Sequence, residues 1–216
     1  MKLLQRFMRF FFHLLYHPLA FTYDLVAWAV SFGRWKDWVF GILPFIEGTR
    51  ILELGHGPGH LQRLLLSRGW VAFGLDESTQ MGRIAKRRLG ESSRLTRGLA
   101  QSLPYPNEMF DCVVSTFPSE YIFDPRTLSE VRRVLRSRGR LVVLPAAFPK
   151  NLFLQWLYKV TGESPSNVEE FVQQRLRQPF AAANFRAEVK TIEVKSSTLM
   201  FVVAEKEEKQ DVKEIT

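Results

Sequence analysis

The chain has 216 residues, enough for one domain with a sizeable core, and its 46% hydrophobic and 24% charged residues exclude a disordered or fibrous chain. A net charge of +8 favours anionic partners, lipid headgroups or nucleic acid, without choosing between them. The single cysteine, Cys112, excludes an internal disulfide and suits a reducing, cytoplasmic setting; its place in the apolar run Cys112-Val113-Val114 reads as a buried structural thiol, and no Cys/His cluster has metal-ligand spacing.

Residues 1–32 are rich in Phe and Leu behind Lys2, Arg6 and Arg9. His13, His17, Pro18 and Asp24 interrupt the apolar run, against the roughly 20 consecutive apolar residues that a membrane span needs. A basic start, an apolar core and Ala27-Trp28-Ala29 loosely imitate a signal peptide, but the core is bulky and contains histidine. Two readings stay open. Leu3, Leu4, Phe7, Phe10, Phe11 and Leu14 form a helical stripe that packs over the following domain, or the basic residues sit on anionic headgroups, on the inner face of a cell membrane, while the phenylalanines enter the bilayer surface. The tryptophan-rich stretch 32–45 reads as one more amphipathic helix, ended by Pro44. Three regions follow: a helical segment at 1–45, a main domain at 46–205 and a charged tail at 206–216 with almost nothing to bury.

Ile51-Leu52-Glu53-Leu54 reads as the end of a buried strand, Gly55, Gly57 and Gly59 make a loop, and Leu61, Leu64, Leu65 and Leu66 start a helix-period stripe. Glycine at alternate positions admits positive φ and removes the Cβ atoms that would keep a ligand off the main chain. A dinucleotide fingerprint would place its third glycine at position 60, which is His60, and Glu53 would repel a pyrophosphate. A ligand with a cation and no phosphate suits the loop better. S-adenosylmethionine, with an ammonium, a sulfonium and two free ribose hydroxyls, is such a ligand. The next strand, Trp70 to Asp76, ends in a carboxylate placed to accept both ribose hydroxyls; the alternative for Asp76 alone is a helix N-cap.

On these residues the chain resembles the class I S-adenosylmethionine-dependent methyltransferases, in the branch that includes the ubiquinone and menaquinone methyltransferases. The family's acid followed by G-x-G-x-G is Glu53 with Gly55, Gly57 and Gly59, and its G-x-D-x-S-x-x-M stretch is Gly74-Leu75-Asp76-Glu77-Ser78 with Met81. Tyr23-Asp24-Leu25-Val26-Ala27 is similar to its YD-x-x-A segment. The resemblance implies an α/β fold, Rossmann-like and doubly wound, with a seven-stranded sheet, a C-terminal antiparallel hairpin and added N-terminal helices. It also implies S-adenosylmethionine as cofactor, contacted by Tyr23, Glu53, Gly55, His56, Gly57, Gly59, Asp76 and Glu77, with Met81 packed on the adenine. Where the family has D-A-x-x-L-P-F, this chain has Leu99-Ala100-Gln101-Ser102-Leu103-Pro104-Tyr105. Leu99 cannot accept the adenine amino hydrogen bond that the family's acid takes. Either Ala100, Gln101 and Ser102 replace that contact, through backbone or the Gln101 side chain, or cofactor affinity is lower.

Phe110 to Thr116 is the expected fourth strand, and ligands in a doubly wound sheet bind beyond the carboxyl ends of the strands. Thr116 to Tyr121 therefore faces the transferred methyl, with Glu120 and Tyr121 as candidate catalytic residues that orient or deprotonate an acceptor. A helix is expected from Asp124-Pro125 to Arg136, stopped by Gly139, before a strand at Leu141–Leu144; the run resembles the family's L-x-E-x-x-R-V-L-x-x-G-G-x-L signature. Residues 146–180 read as a helical cap over the acceptor, and Arg186–Val194 with Thr198–Ala204 as a hairpin. The function implied is methyl transfer to a small, hydrophobic or lipid-like acceptor. A nucleic-acid substrate, motivated by the arginines at 83–97 and 132–140, is the alternative, with a non-catalytic scaffold at the membrane as a third reading.

Overall fold

The computed structural model describes residues 31, 33–90, 93–149, 165–195 and 197–207, without the side chains of 149 and 165–173. Tyr23, the N-terminal stripe and the tail from 208 lie outside the described residues. Seven strands, β1 (Arg50–Leu54), β2 (Val71–Asp76), β3 (Arg94–Arg97), β4 (Phe110–Thr116), β5 (Leu135–Pro149), β6 (Phe185–Val194) and β7 (Ser197–Lys206), form one sheet in the order β3-β2-β1-β4-β5-β7-β6. The first five pair in parallel, and β7 runs antiparallel between β5 and β6. Helices α1 (Trp35–Phe40), α2 (His60–Ser67), α3 (Thr79–Leu89), α4 (Pro125–Val134) and α5 (Pro165–Ala182) accompany it. The doubly wound sheet with its C-terminal hairpin is the expected one.

Apolar residues on both faces of the central strands make two cores. Leu52, Leu54 and Val113 point to one cluster with Leu128, Val131 and Phe180, while Ile51, Cys112 and Val114 point to another with Trp38, Leu61 and Leu65. Cys112 is buried, and burial pushes its thiol up to about 12. The chain steps from β1 to β2 to β3 in one direction and then from β4 to β5 in the other. That reversal between β1 and β4 opens a crevice at the carboxyl ends of the strands.

Several elements differ from expectation. The helix across 32–45 is shorter: α1 ends at Phe40, and a 3-10 turn at Leu43–Phe45 contains Pro44. β3 has no apolar alternation of its own, and its strand form comes from pairing with β2, Phe73 opposite Arg94 through Asp76 opposite Arg97. The helix expected to run to Arg136 stops at Val134, because Leu135 already pairs with Phe110 of β4. A bulge follows, with Arg138 at φ 59, so β5 begins six residues before the expected strand. It also continues to Pro149, so 146–149 are extended rather than helical, and helix resumes among the described residues at Pro165.

The signature helix α4 does more than fill the core. Glu130 accepts the Leu103 N–H at 2.7 Å and pairs with Arg133 through both carboxylate oxygens at 2.7 and 2.8 Å. Arg133 also donates to the carbonyls of Tyr105 (2.7 Å) and Leu103 (2.9 Å) and to Asn107 Oδ1 (2.9 Å). All five guanidinium N–H groups are thereby used, and they clamp the loop that leads away from Ala100 and Gln101. Arg133→Ala is expected to lower stability by about 2 kcal/mol in urea unfolding, with Arg133→Lys recovering only part of it because an ammonium cannot span the fork.

Candidate active site

A cavity sits on the crevice. One flank is Asp76, Glu77 and Ser78 after β2 with Gly98 to Gln101 after β3; the floor is Glu53 and the loop Gly55 to Pro58; the other flank is Thr116 to Ser119 and Tyr121 after β4, closed by Trp35 and Val39 of α1.

The loop is shaped by positive φ at Gly55 (70°), Gly57 (50°) and Gly59 (82°). A Cβ at Gly55 would meet the Tyr121 hydroxyl at 2.8 Å, whereas at Gly57 it would point into open space, the space of the cavity. Gly59 serves a different purpose. It is the left-handed N-cap of α2, and a Cβ there would press on Ala85 and Leu89 of α3 at 3.2 Å.

Asp76 ties the loop to β2. Its Oδ2 accepts the Gly57 N–H at 2.9 Å and its Oδ1 the Ser78 N–H at 2.8 Å. A carboxylate has about four acceptor sites, so each oxygen keeps one for a ligand, an arrangement that fits two neighbouring hydroxyls. The N-cap role weighed for Asp76 belongs to Ser78, whose hydroxyl accepts the Met81 N–H at 3.2 Å.

Glu53 is 2% exposed at the base of the cavity. Burial is the main cause that raises its carboxyl from 4.5 to about 8, with Gln62 opposing and Asp76 adding. The Gln62 amide nitrogen donates to both Glu53 Oε2 and the Phe73 carbonyl at 2.9 Å, which fixes the carboxyl group in place. Gln62 was not anticipated, although its position three residues before Leu65 on an apolar helix face signals a buried polar group. His56 is buried too; its Nδ1 donates to the Gly57 carbonyl at 2.7 Å, and burial lowers its pKa despite the pull of Asp76. The ring lies against Gly74, where a Cβ would come within 3.0 Å of it.

On the β4 flank, Ser115 Oγ and Tyr121 Oη lie 2.9 Å apart and both reach the Leu54 carbonyl, at 2.9 and 3.2 Å. Phe117 takes a left-handed φ of 50°, its N–H held by the Leu144 carbonyl at 2.7 Å, and its ring stacks on Trp35 with centroids 4.5 Å apart. Such a φ is strained for a bulky side chain. A residue before proline favours extended backbone, so nothing in Phe117-Pro118 announces this wall.

Glu53, Gly55, His56, Gly57, Asp76, Glu77, Ala100, Gln101, Thr116 and Tyr121 thus share one cavity. Four other site candidates do not line it. Gly59 packs helices, Met81 is wholly buried as a core side chain, and Ser102 and Glu120 are exposed outside it, Glu120 because it opens a 3-10 turn that points Tyr121 inward. Gln101 donates to Asp124 at 3.3 Å, and Leu99 lines the rim at 55% exposure. Among the described residues no group of three or more His, Cys, Asp and Glu could hold a metal ion, and no helix is long and apolar enough to cross a membrane.

An antiparallel seventh strand set between the fifth and sixth, together with a glycine-rich loop after the first strand bracketed by two acids, defines the class I methyltransferase fold. Residues 52–143 match the family model described as a methyltransferase domain, and that stretch lies within a chain that has the class I S-adenosylmethionine-dependent methyltransferase fold. The chain is distantly similar to the demethylmenaquinone methyltransferase of Thermotoga maritima, 34% identical over 60% of this chain and 59% of the relative. The ubiquinone/menaquinone biosynthesis C-methyltransferase of Edwardsiella ictaluri is 30% identical over 66% and 62%. The chain therefore spans about three fifths of these relatives' length. Among solved structures, a Thermotoga maritima protein described as a possible histamine N-methyltransferase shares the fold with a TM-score of 0.62 at 19% identity, covering 90% of this chain and 99% of that one. Geranyl diphosphate C-methyltransferase of Streptomyces coelicolor does so at 0.58 and 12%, covering 78% of each. The family implies S-adenosylmethionine as cofactor, and the cavity fits it in two respects: exposed backbone at Gly57, and buried acid beneath a space a cation can enter.

Glu53 makes stability fall with pH. A folded state that keeps a proton up to about 8, where the unfolded chain loses it near 4.5, binds more protons than the unfolded state between those values. His56 acts with opposite sign, but only below its ordinary 6.5. Urea midpoints are therefore expected to fall from pH 6.5 to pH 8, and Glu53→Gln to flatten that slope.

Proposed function

We propose that this chain transfers a methyl group from S-adenosylmethionine to a small apolar acceptor, and that the acceptor is a ring compound of the quinone-precursor kind. One observation carries the reading: Glu53 and Asp76 face a single cavity across a loop whose Gly57 backbone is open to a ligand. S-adenosylmethionine, when bound, supplies a methyl group already activated by a positively charged sulfur. The work left to the protein is to hold, align and exclude water.

In this reading Asp76 receives the ribose hydroxyls on its two remaining acceptor sites. Glu53 ionises when the cationic end arrives, because a positive charge nearby offsets what burial costs it. Ala100 and the neighbouring backbone, rather than the engaged Gln101 side chain, border the adenine. The acceptor meets Trp35, Phe117 and Pro118, an apolar wall without charge, with the Tyr121 and Ser115 hydroxyls as the polar groups nearby. An uncharged wall suits an uncharged acceptor, and the quinone methyltransferases among the curated relatives support the same class. A strong general base is needed only for poorly acidic acceptors, so the exposed position of Glu120 does not weigh against the reading.

Calorimetric titration of Gly57→Ala with S-adenosylhomocysteine tests the cofactor site: affinity is expected to drop on the order of tenfold or more, about 1.4 kcal/mol, in a protein that still folds but with a lower unfolding midpoint, because a side chain at φ 50° is strained. Binding of NAD in place of the adenosyl ligand would refute it. Phe117→Ala tests the acceptor side, with turnover of a prenylated naphthoquinol falling roughly tenfold while S-adenosylhomocysteine affinity stays unchanged. Methylation of an oligonucleotide in preference to the quinol would move the acceptor to nucleic acid.

A further inference from the structure

Among the described residues, most arginines around α4 and the bulge of β5 have an acid partner, whereas several on α2, α3 and β3 have none. Around α4 and the bulge of β5, Arg126 pairs with Asp124, Arg133 with Glu130, Arg136 with Asp111 and Arg140 with Glu47. Residues 60–97, which fold into α2, β2, α3 and β3, hold eight Lys and Arg against the three acids Asp76, Glu77 and Glu91, and so carry five of the chain's eight surplus positive charges. Of those acids Asp76 is committed to the glycine loop.

These charges share one face. Steps from β1 to β2 and from β2 to β3 go in the same direction, and right-handed crossovers put α2 and α3 side by side. α3 carries Arg83, Lys86, Arg87 and Arg88 and no acid along its length. Arg88 is held by the Pro58 carbonyl at 2.7 Å and by His60. Arg83 and Arg87, one turn apart on the helix, are exposed and make no ion pair with a described residue, and the same holds for Arg63 of α2. β3 is the sheet edge next to them, with Arg94 and Arg97 exposed. Two residues past Arg97 comes Leu99, the large hydrophobic side chain that is exposed among the described residues.

We propose that the α2–α3 face and the β3 edge dock on an anionic lipid bilayer, with headgroup phosphates meeting Arg63, Arg83, Arg87 and Arg97 and with Leu99 entering the interface. Cations around a protruding aliphatic side chain match a surface that is negative outside and apolar just beneath. Nucleic acid fits less well, because binding of single strands draws on exposed aromatic platforms, and among the described residues no exposed aromatic accompanies these arginines. The docking rests on the surface alone. Its use, to bring the cavity to the phase in which an apolar acceptor dissolves, rests on the function proposed above.

Vesicle co-sedimentation of the full chain tests this, with phosphatidylcholine alone and with about a third phosphatidylglycerol, each at low and high salt. The chain is expected to bind the anionic vesicles, more weakly at high salt, and not the neutral ones. Arg83→Glu with Arg87→Glu should lower that affinity by about tenfold or more. A control with the same change of net charge on β6, Arg186→Glu with Lys190→Glu, should lower it much less. S-adenosylhomocysteine affinity, unchanged in both, shows that the fold is intact; its absence in the wild type would sink the cofactor reading while leaving the vesicle result to stand. Arg83→Gln with Arg87→Gln gives a smaller loss in the same direction and serves if the charge reversal does not fold. Equal binding by the α3 variant and the control, no preference for anionic vesicles, or tighter binding to a DNA duplex than to anionic vesicles at the same salt would overturn the proposal.

Discussion

A carboxyl group shut inside a protein is costly in its charged form unless a partner charge comes to it. Glu53 is such a group. The Gln62 amide satisfies part of it, and the second nearby charge is Asp76, also negative, so the site as folded favours the proton over the charge. A cavity that keeps an acid neutral in this way is prepared for a cation. The rest of the site can be understood as what brings such a cation, and the nucleoside attached to it, to that position.

Asp76 supplies the second half of that arrangement. By accepting N–H groups from both Gly57 and Ser78 it joins the turn after β1 to the turn after β2, so loop and carboxylate are set in one step. Gly59 and Gly74 leave room for neighbours instead of for a ligand: one lets α2 and α3 approach, the other admits the His56 ring. The clamp of Glu130 and Arg133 on residues 103–107 extends the same logic to the chain that leaves the Asp76 flank after Gln101. A motif that reads as fold specification in the sequence therefore also braces the cavity wall.

The central strands, the glycine loop and Asp76 were legible because each rests on local signals: apolar runs, glycines at fixed spacing, an acid at a strand end. β3 was not, because Arg94-Leu95-Thr96-Arg97 becomes a strand through β2 and not through its own pattern. The end of α4 was misplaced for a similar reason. Arg132 to Arg136 is compatible with helix, and what stops it is the pairing of Leu135 with Phe110 across the sheet. Phe117 and Trp35 meet from positions 82 residues apart, through a backbone conformation that a following proline argues against. Met81 and Glu120 show the converse: neither a matching position in a motif nor a place beyond a strand's carboxyl end says which way a side chain turns.

The neutral acid at position 53 is expected to ionise when a cationic ligand enters. Calorimetric titration with S-adenosylmethionine at pH 6.5, repeated in buffers of differing ionisation enthalpy, counts the protons exchanged on binding. Release of close to one proton per ligand bound is expected for the wild type, and none attributable to this site in Glu53→Gln. Binding without proton release, or the same release in both proteins, would contradict that ionisation.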